Sequence, residues 1–326
     1  MIRTQLSSCT TSTACGRVAT SLRLTWRSTR SSSLGIWTPN SCTDQGSLSV
    51  SAQTTVPVDL AYDAYGSARE KAGSLVILHG LFGSKRNWIS LAKAFEKELH
   101  RPVYALDLRN HGSSPHAEPM TYSAMADDVL NFCDKHSLSN ISLLGHSMGG
   151  KVAAAVALHP SLPSGLLSKL IVADIAPSRA RLSSEFQAYL EAMHRIESSQ
   201  LQNKKEAQDI LKEIEKDPMV RAFLLTNLAS DTPPLKFRIP IDILMGCIPE
   251  IGSFPYAPGE RLWPGKTLFI KGTKSHYINN KNIPVAEQFF PNMKLESLDA
   301  GHWGTYFSCY PPRVRSSSSS TSFSSR

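Results

Sequence analysis

The sequence predicts an α/β fold: a mostly parallel central sheet with helices on both faces and a helical lid inserted late in the chain. Three observations predict it. Short apolar runs such as Leu75-Val76-Ile77-Leu78 and Leu170-Ile171-Val172-Ala173 alternate with amphipathic segments, the pattern of strands buried on both faces. The alternation breaks between Ser178 and roughly Pro258, where helical segments follow one another without a strand. Finally, Gly145-His146-Ser147-Met148-Gly149 joins an apolar strand pattern (Ile141 to Leu144) directly to an Ala-rich helical one (Lys151 to His159). Gly-x-Ser-x-Gly between strand and helix is a nucleophile elbow, a turn so sharp that only small residues fit two positions before and after the serine.

In chain order, residues 1–50 read as a leader. The first 43 contain no Asp or Glu, five Arg and eighteen Ser or Thr, with no apolar run long enough for a signal-peptide core. That composition is expected of a transit peptide, mitochondrial ahead of plastid, with an unaddressed, cytoplasmic leader as the alternative. Residues 51–303 form the expected folded domain. Val58, Leu60 and Tyr62 alternate with polar or small residues and suggest an early edge strand. Leu75–Leu78 is a buried strand, Asn87–His100 a helix, and Pro102–Leu106 the next strand. Thr121 caps a helix reaching about His136 with Met125, Val129 and Phe132 on one face. The elbow strand and helix follow, then the strand at Leu170 closing at Asp174.

The lid, about 178–258, reads as helices over Ser183–Glu197, Lys204–Lys216 and Val220–Leu228. Its apolar residues Phe186, Tyr189, Met193, Phe223 and Leu224 suit plain packing or a substrate wall equally. Strands return at Thr267–Ile270 and Met293–Leu298, and the last ends in Asp299-Ala300-Gly301-His302-Trp303. Residues 304–326, with Pro311-Pro312 and five consecutive serines from Ser316, are expected to be a disordered Ser/Arg-rich tail.

Charge excludes one class. The net charge of +8 comes from the ends, because residues 1–50 carry five Arg against one acid and 303–326 carry three Arg and none. Residues 51–302 hold 27 basic and 26 acidic residues, so no footprint for nucleic acid is expected. The six cysteines, at 9, 15, 42, 133, 247 and 309, form no CxxC and no repeated spacing; neither a disulfide framework nor a metal site is expected. No run of eighteen apolar residues occurs, so no transmembrane segment is expected. Nothing in the pattern calls for a cofactor, and it names no protein partner.

A serine hydroxyl needs an adjacent base that is itself oriented by a third group. Ser147 is the expected nucleophile. The base is expected after the last strand, where His302 lies, with His276 the competitor one strand too early. For the acid, strand ends offer Asp107, Asp174 and Asp299. Asp299 is three residues from His302, Asp107 precedes the nucleophile, and the loop Gly272–Tyr277 holds Ser275 but no carboxylate. Asp174 is therefore preferred. The oxyanion donors are expected to be the backbone N–H of Met148 and one from His79-Gly80-Leu81-Phe82-Gly83, with Leu81 ahead of Phe82.

His79-Gly80-Leu81-Phe82-Gly83-Ser84-Lys85, Asp107-Leu108-Arg109-Asn110-His111-Gly112, Gly145-His146-Ser147-Met148-Gly149-Gly150-Lys151 and Asp174-Ile175-Ala176-Pro177 resemble the α/β-hydrolase group named for abhydrolase domain eleven. Small bacterial acyl esterases and yeast mitochondrial ethanol acetyltransferases share these blocks, and the resemblance covers about residues 57–303. It implies the α/β-hydrolase fold, an acyl ester or thioester substrate, a mitochondrial location in eukaryotes, and an acid after the strand that follows the elbow, matching Asp174. The family pattern continues past the histidine into a final helix, which the residues after Trp303 do not support. The expected function is a serine esterase or thioesterase. Alternatives are acyl transfer to an alcohol with the same residues, or a catalytically impaired binding protein if the atypical C-terminus unseats His302.

Overall fold

The structure, a computed structural model, describes residues 56–66, 73–229 and 232–304, all within the unit Gln53–Arg326. The expected leader and the tail beyond Gly304 lie outside the described residues; Gly304 itself closes a 3-10 turn, His302–Gly304. Among the described residues, seven strands form one sheet: β1 (Tyr62–Tyr65), β2 (Leu75–Leu78), β3 (Val103–Leu106), β4 (Ile141–His146), β5 (Leu167–Ala173), β6 (Lys266–Gly272) and β7 (Met293–Leu298). Their order is β1-β3-β2-β4-β5-β6-β7, antiparallel between β1 and β3 and parallel elsewhere.

Strands β2 and β3 are buried throughout because the sheet is covered on both sides. Leu75 and Ile77 join Val103, Ala105 and Leu144 under α1 (Ile89–Leu99), against Trp88, Leu91 and Ala92. Val76 and Leu78 face the opposite, larger core with α2 (Tyr122–Lys135), α3 (Met148–Ala157) and the lid. Towards β6 the α1 side is less complete, and Leu268 and Ile270 are only half-buried.

Two expected boundaries move, each for a local reason. The edge strand begins at Tyr62, not Val58, because the Val58 N–H donates to Asp128 Oδ1 at 2.7 Å and so leaves the ladder, while Leu60 tucks into the core. The helix expected from Asn87 starts instead as a 3-10 turn, Lys85–Trp88. There Asn87 N–H donates to the Ser84 carbonyl at 3.0 Å and its side chain accepts from Ser84 N–H at 2.7 Å, which tightens the entry. Left-handed His100, φ 52°, ends α1. The cap of α2 is the expected Thr121, whose Oγ1 accepts from Ala124 N–H. Inside that helix, Asp128 takes a two-pronged contact from the buried Arg109 guanidinium at 2.6 and 2.7 Å, tying α2 to the loop after β3.

The lid region holds α4 (Ser184–Ser198), α5 (Lys204–Lys212) and α6 (Pro218–Leu225). Helix α5 ends four residues before the expected Lys216, while the Asp217 cap and Pro218 start α6 two residues before the expected Val220, and α6 ends at Leu225 instead of Leu228. Two further helices, α7 (Ile241–Gly246) and α8 (Ile248–Gly252), and a third after β6, α9 (Ile283–Phe289), were not expected. At five to seven residues, they are too short to show a period.

Candidate active site

The elbow owes its shape to two glycines. A Cβ on Gly145 would overlap the carbonyl of Gly149, and one on Gly149 would strike the carbonyl oxygens of Leu78 and His79 on the neighbouring strand. Between them Ser147 takes φ 52°, ψ −122°, a strained conformation for a side-chain-bearing residue. This lifts its hydroxyl above the sheet at the N-terminus of α3.

The place of Asp174 is set laterally. Strand β5 lies beside β4 with His146 opposite Ala173, so Ser147 and Asp174 leave adjacent strand ends. Ser147 N–H donates to the Ala173 carbonyl at 2.9 Å, and Asp174, φ 53°, turns back toward the elbow. His302 arrives from the loop after β7. Its Nδ1 donates to Asp174 Oδ2 at 2.8 Å, and Ser147 Oγ donates to its Nε2 at 3.0 Å. Burial alone would raise the Asp174 pKa. Hydrogen bonds from His302, the Ser275 hydroxyl and Gly272 N–H, the last at 2.9 Å, outweigh it and hold the carboxyl below its usual range. An ionised Asp174 accepts only, which puts the imidazole proton on Nδ1 and leaves Nε2 free to accept.

The other candidates do not join this line, although His276 borders the same cleft. Asp107 accepts from Lys85 N–H and Nζ, both at 2.7 Å, and from Ser113 N–H at 2.8 Å, so it braces the loop after β2. Exposed Asp299 pairs with Lys274, and His276 is exposed.

Leu81 and Phe82 competed for the second oxyanion donor. The Phe82 N–H is engaged by His111 Nε2 at 3.2 Å, while His111 Nδ1 donates to the Arg109 carbonyl at 3.0 Å. Burial pushes His111 down to about 3, so it stays a neutral acceptor. The Leu81 and Met148 amides have no acceptor among the described residues, and both residues line the cleft beside Ser147.

Sequence reasoning missed several supports. His146 Nε2 donates to the His302 carbonyl at 3.1 Å, and the Tyr277 ring lies 4.0 Å from that of His302. Ser275 occupies the usual acid loop yet serves the acid on the next strand; its odd place in that loop was the available signal. Among the lid residues, Phe186 and Phe223 reach the site, with ring centroids 5.8 and 5.2 Å from Trp303. Met193 and Leu224 are fully buried packing, and Tyr189 packs on Phe82 while donating to Glu215. The cleft above Ser147 measures about 550 Å³.

A covered parallel sheet with a serine on a strand-to-helix elbow beneath helices defines a class. The chain belongs to the alpha/beta hydrolase fold family, whose family model matches residues 73–308. Its relatives narrow this to the abhydrolase-domain-eleven group. It is 40% identical to an abhydrolase domain-containing protein of Schizosaccharomyces pombe, over 76% of this chain and 92% of that one. It is 36% identical to the sn-1-specific diacylglycerol lipase ABHD11 of Xenopus tropicalis, over 80% of this chain and 82% of that one. A probable alcohol acetyltransferase of Saccharomyces cerevisiae is 38% identical, over 77% and 80%. Among solved structures, a marine microorganism esterase matches with TM-score 0.65 and 35% identity, covering 76% of this chain and 94% of that one.

Proposed function

We propose that the chain is a serine hydrolase that cleaves acyl esters or thioesters through an acyl-enzyme on Ser147. The observation that carries the proposal is the unbroken line from Ser147 Oγ through His302 to Asp174, at 3.0 and 2.8 Å. His302 Nε2 takes the serine proton as Oγ attacks the acyl carbon, and later returns it to the leaving group. Asp174 holds the tautomer and stabilises the imidazolium. The Leu81 and Met148 amides receive the developing oxyanion. Water, activated by the same histidine, releases the acid.

Acyl transfer to an alcohol is the second reading, favoured by the resemblance to the yeast probable acetyltransferase. Adding ethanol during p-nitrophenyl ester turnover separates the two, since a transferase diverts acyl groups into ethyl ester. Fluorophosphonate labelling tests whether the serine is activated. An unlabelled, inactive chain would favour the impaired binding protein. The acid-free, Arg- and Ser-rich first 43 residues support a mitochondrial location.

A further inference from the structure

One buried cation in the cleft has no counter-charge among the described residues. Lys151 lies one turn after Ser147 on α3 and lines the same cleft, yet its residue is only 4% exposed. Its Nζ donates to the carbonyls of Gly252 at 3.0 Å and Ser253 at 2.8 Å and sits 5.4 Å from the centre of the Tyr122 ring. No carboxylate among the described residues forms an ion pair with it. An ammonium has three protons to donate, and the third finds no protein acceptor among the described residues.

A clasp between α3 and the end of α8 accounts for two of those donors but not for the charge. The next carbonyl, Ile251, is held by the neutral Tyr122 hydroxyl at 2.7 Å, so an uncharged donor serves at this wall. A buried charge is costly without an opposite partner. Arg181 also lines the cleft, as do Lys274, whose charge is met by Asp299, and one acid, Glu185.

We propose that Lys151 forms an anion subsite of this cleft, selecting esters or thioesters that carry a carboxylate near the scissile carbonyl. This rests on the ester- or thioester-hydrolase function proposed above. Four residues of helix separate the Cα atoms of Ser147 and Lys151 by about 6 Å, a span suited to half-esters of short dicarboxylic acids. Burial lowers Lys151 to about 8, which leaves it mainly protonated at neutral pH.

The test compares mono-p-nitrophenyl glutarate with p-nitrophenyl pentanoate, which match in chain length and differ in charge. Wild type is expected to favour the glutarate by at least tenfold in kcat/KM, chiefly through KM, and Lys151→Met to lower that ratio at least tenfold. 4-Carboxyphenyl pentanoate moves the anion to the leaving group; a gain there, lost in Lys151→Met, supports the subsite on that side. No preference in wild type for either anionic ester, or a preference that survives Lys151→Met, overturns the proposal. Should the variant not fold, inhibition of wild-type pentanoate-ester turnover by glutaramate against uncharged pentanamide decides, and equal inhibition counts against the subsite. A wild-type chain cleaving none of the esters removes the hydrolase function instead. Calorimetry of glutaramate against uncharged pentanamide then still decides the subsite, and equal affinity refutes it.

Discussion

Replacing Asp174 by Asn changes one atom at the centre of the site. Asp174 accepts from Gly272 N–H at 2.9 Å through Oδ1 and from His302 Nδ1 at 2.8 Å through Oδ2, and also from the Ser275 hydroxyl. An asparagine that keeps its oxygen on Gly272 turns its NH₂ toward His302. Nδ1 must then accept, the imidazole proton moves to Nε2, and Nε2 can no longer receive the Ser147 proton. The imidazolium formed on attack also loses its anion. Together these effects are expected to cut kcat by on the order of 10⁴, about 5 kcal/mol of transition-state stabilisation. The shape is unchanged and one strong backbone bond survives, so urea unfolding should shift by only about 1–2 kcal/mol. Turnover of p-nitrophenyl butyrate and the fluorophosphonate labelling rate are the assays. Asp299→Asn, on an exposed residue paired with Lys274, serves as control and should stay near wild type. If Asp174→Asn keeps a tenth of wild-type turnover while Asp299→Asn abolishes it, the acid has been misassigned.

Ser147→Ala is expected to abolish both probe labelling and ester hydrolysis while leaving the melting temperature near wild type, and labelling at the parent rate would remove Ser147 as nucleophile. Gly149→Ala should cost several kcal/mol or prevent folding, since its Cβ meets the carbonyls of Leu78 and His79; a soluble variant with unchanged unfolding midpoint would contradict the close approach. Because burial lowers Lys151 from 10.5 to about 8, the unfolded chain binds the extra proton between those values. Wild-type stability should therefore rise by as much as about 3 kcal/mol relative to Lys151→Met from pH 8 to pH 10.5, read by urea unfolding, and parallel curves would refute the desolvated lysine. N-terminal sequencing of protein from cells is expected to find the leader removed from a mitochondrial fraction, whereas an intact Met1 on cytosolic protein contradicts that location.

The sequence by itself determined what is local. The Gly145–Gly149 elbow, the Thr121 cap, the apolar strands at Leu75 and Leu170 and the first lid helix could be read because each depends on spacing within one turn or one strand. Membership of the family was legible in four short blocks for the same reason. The short helices α7 to α9 were not, since five to seven residues hold too little periodicity. What only the tertiary structure decided is lateral. Three aspartates end or follow strands, and chain order could favour Asp174; that β5 lies beside β4, with Ala173 opposite His146, is a property of the sheet. The same holds for Phe82, whose amide is withdrawn by a histidine 29 residues away, and for Ser275, which serves an acid on another strand. Hydrogen bonds between loops carry no period along the chain, so they appear only once the strands are in register.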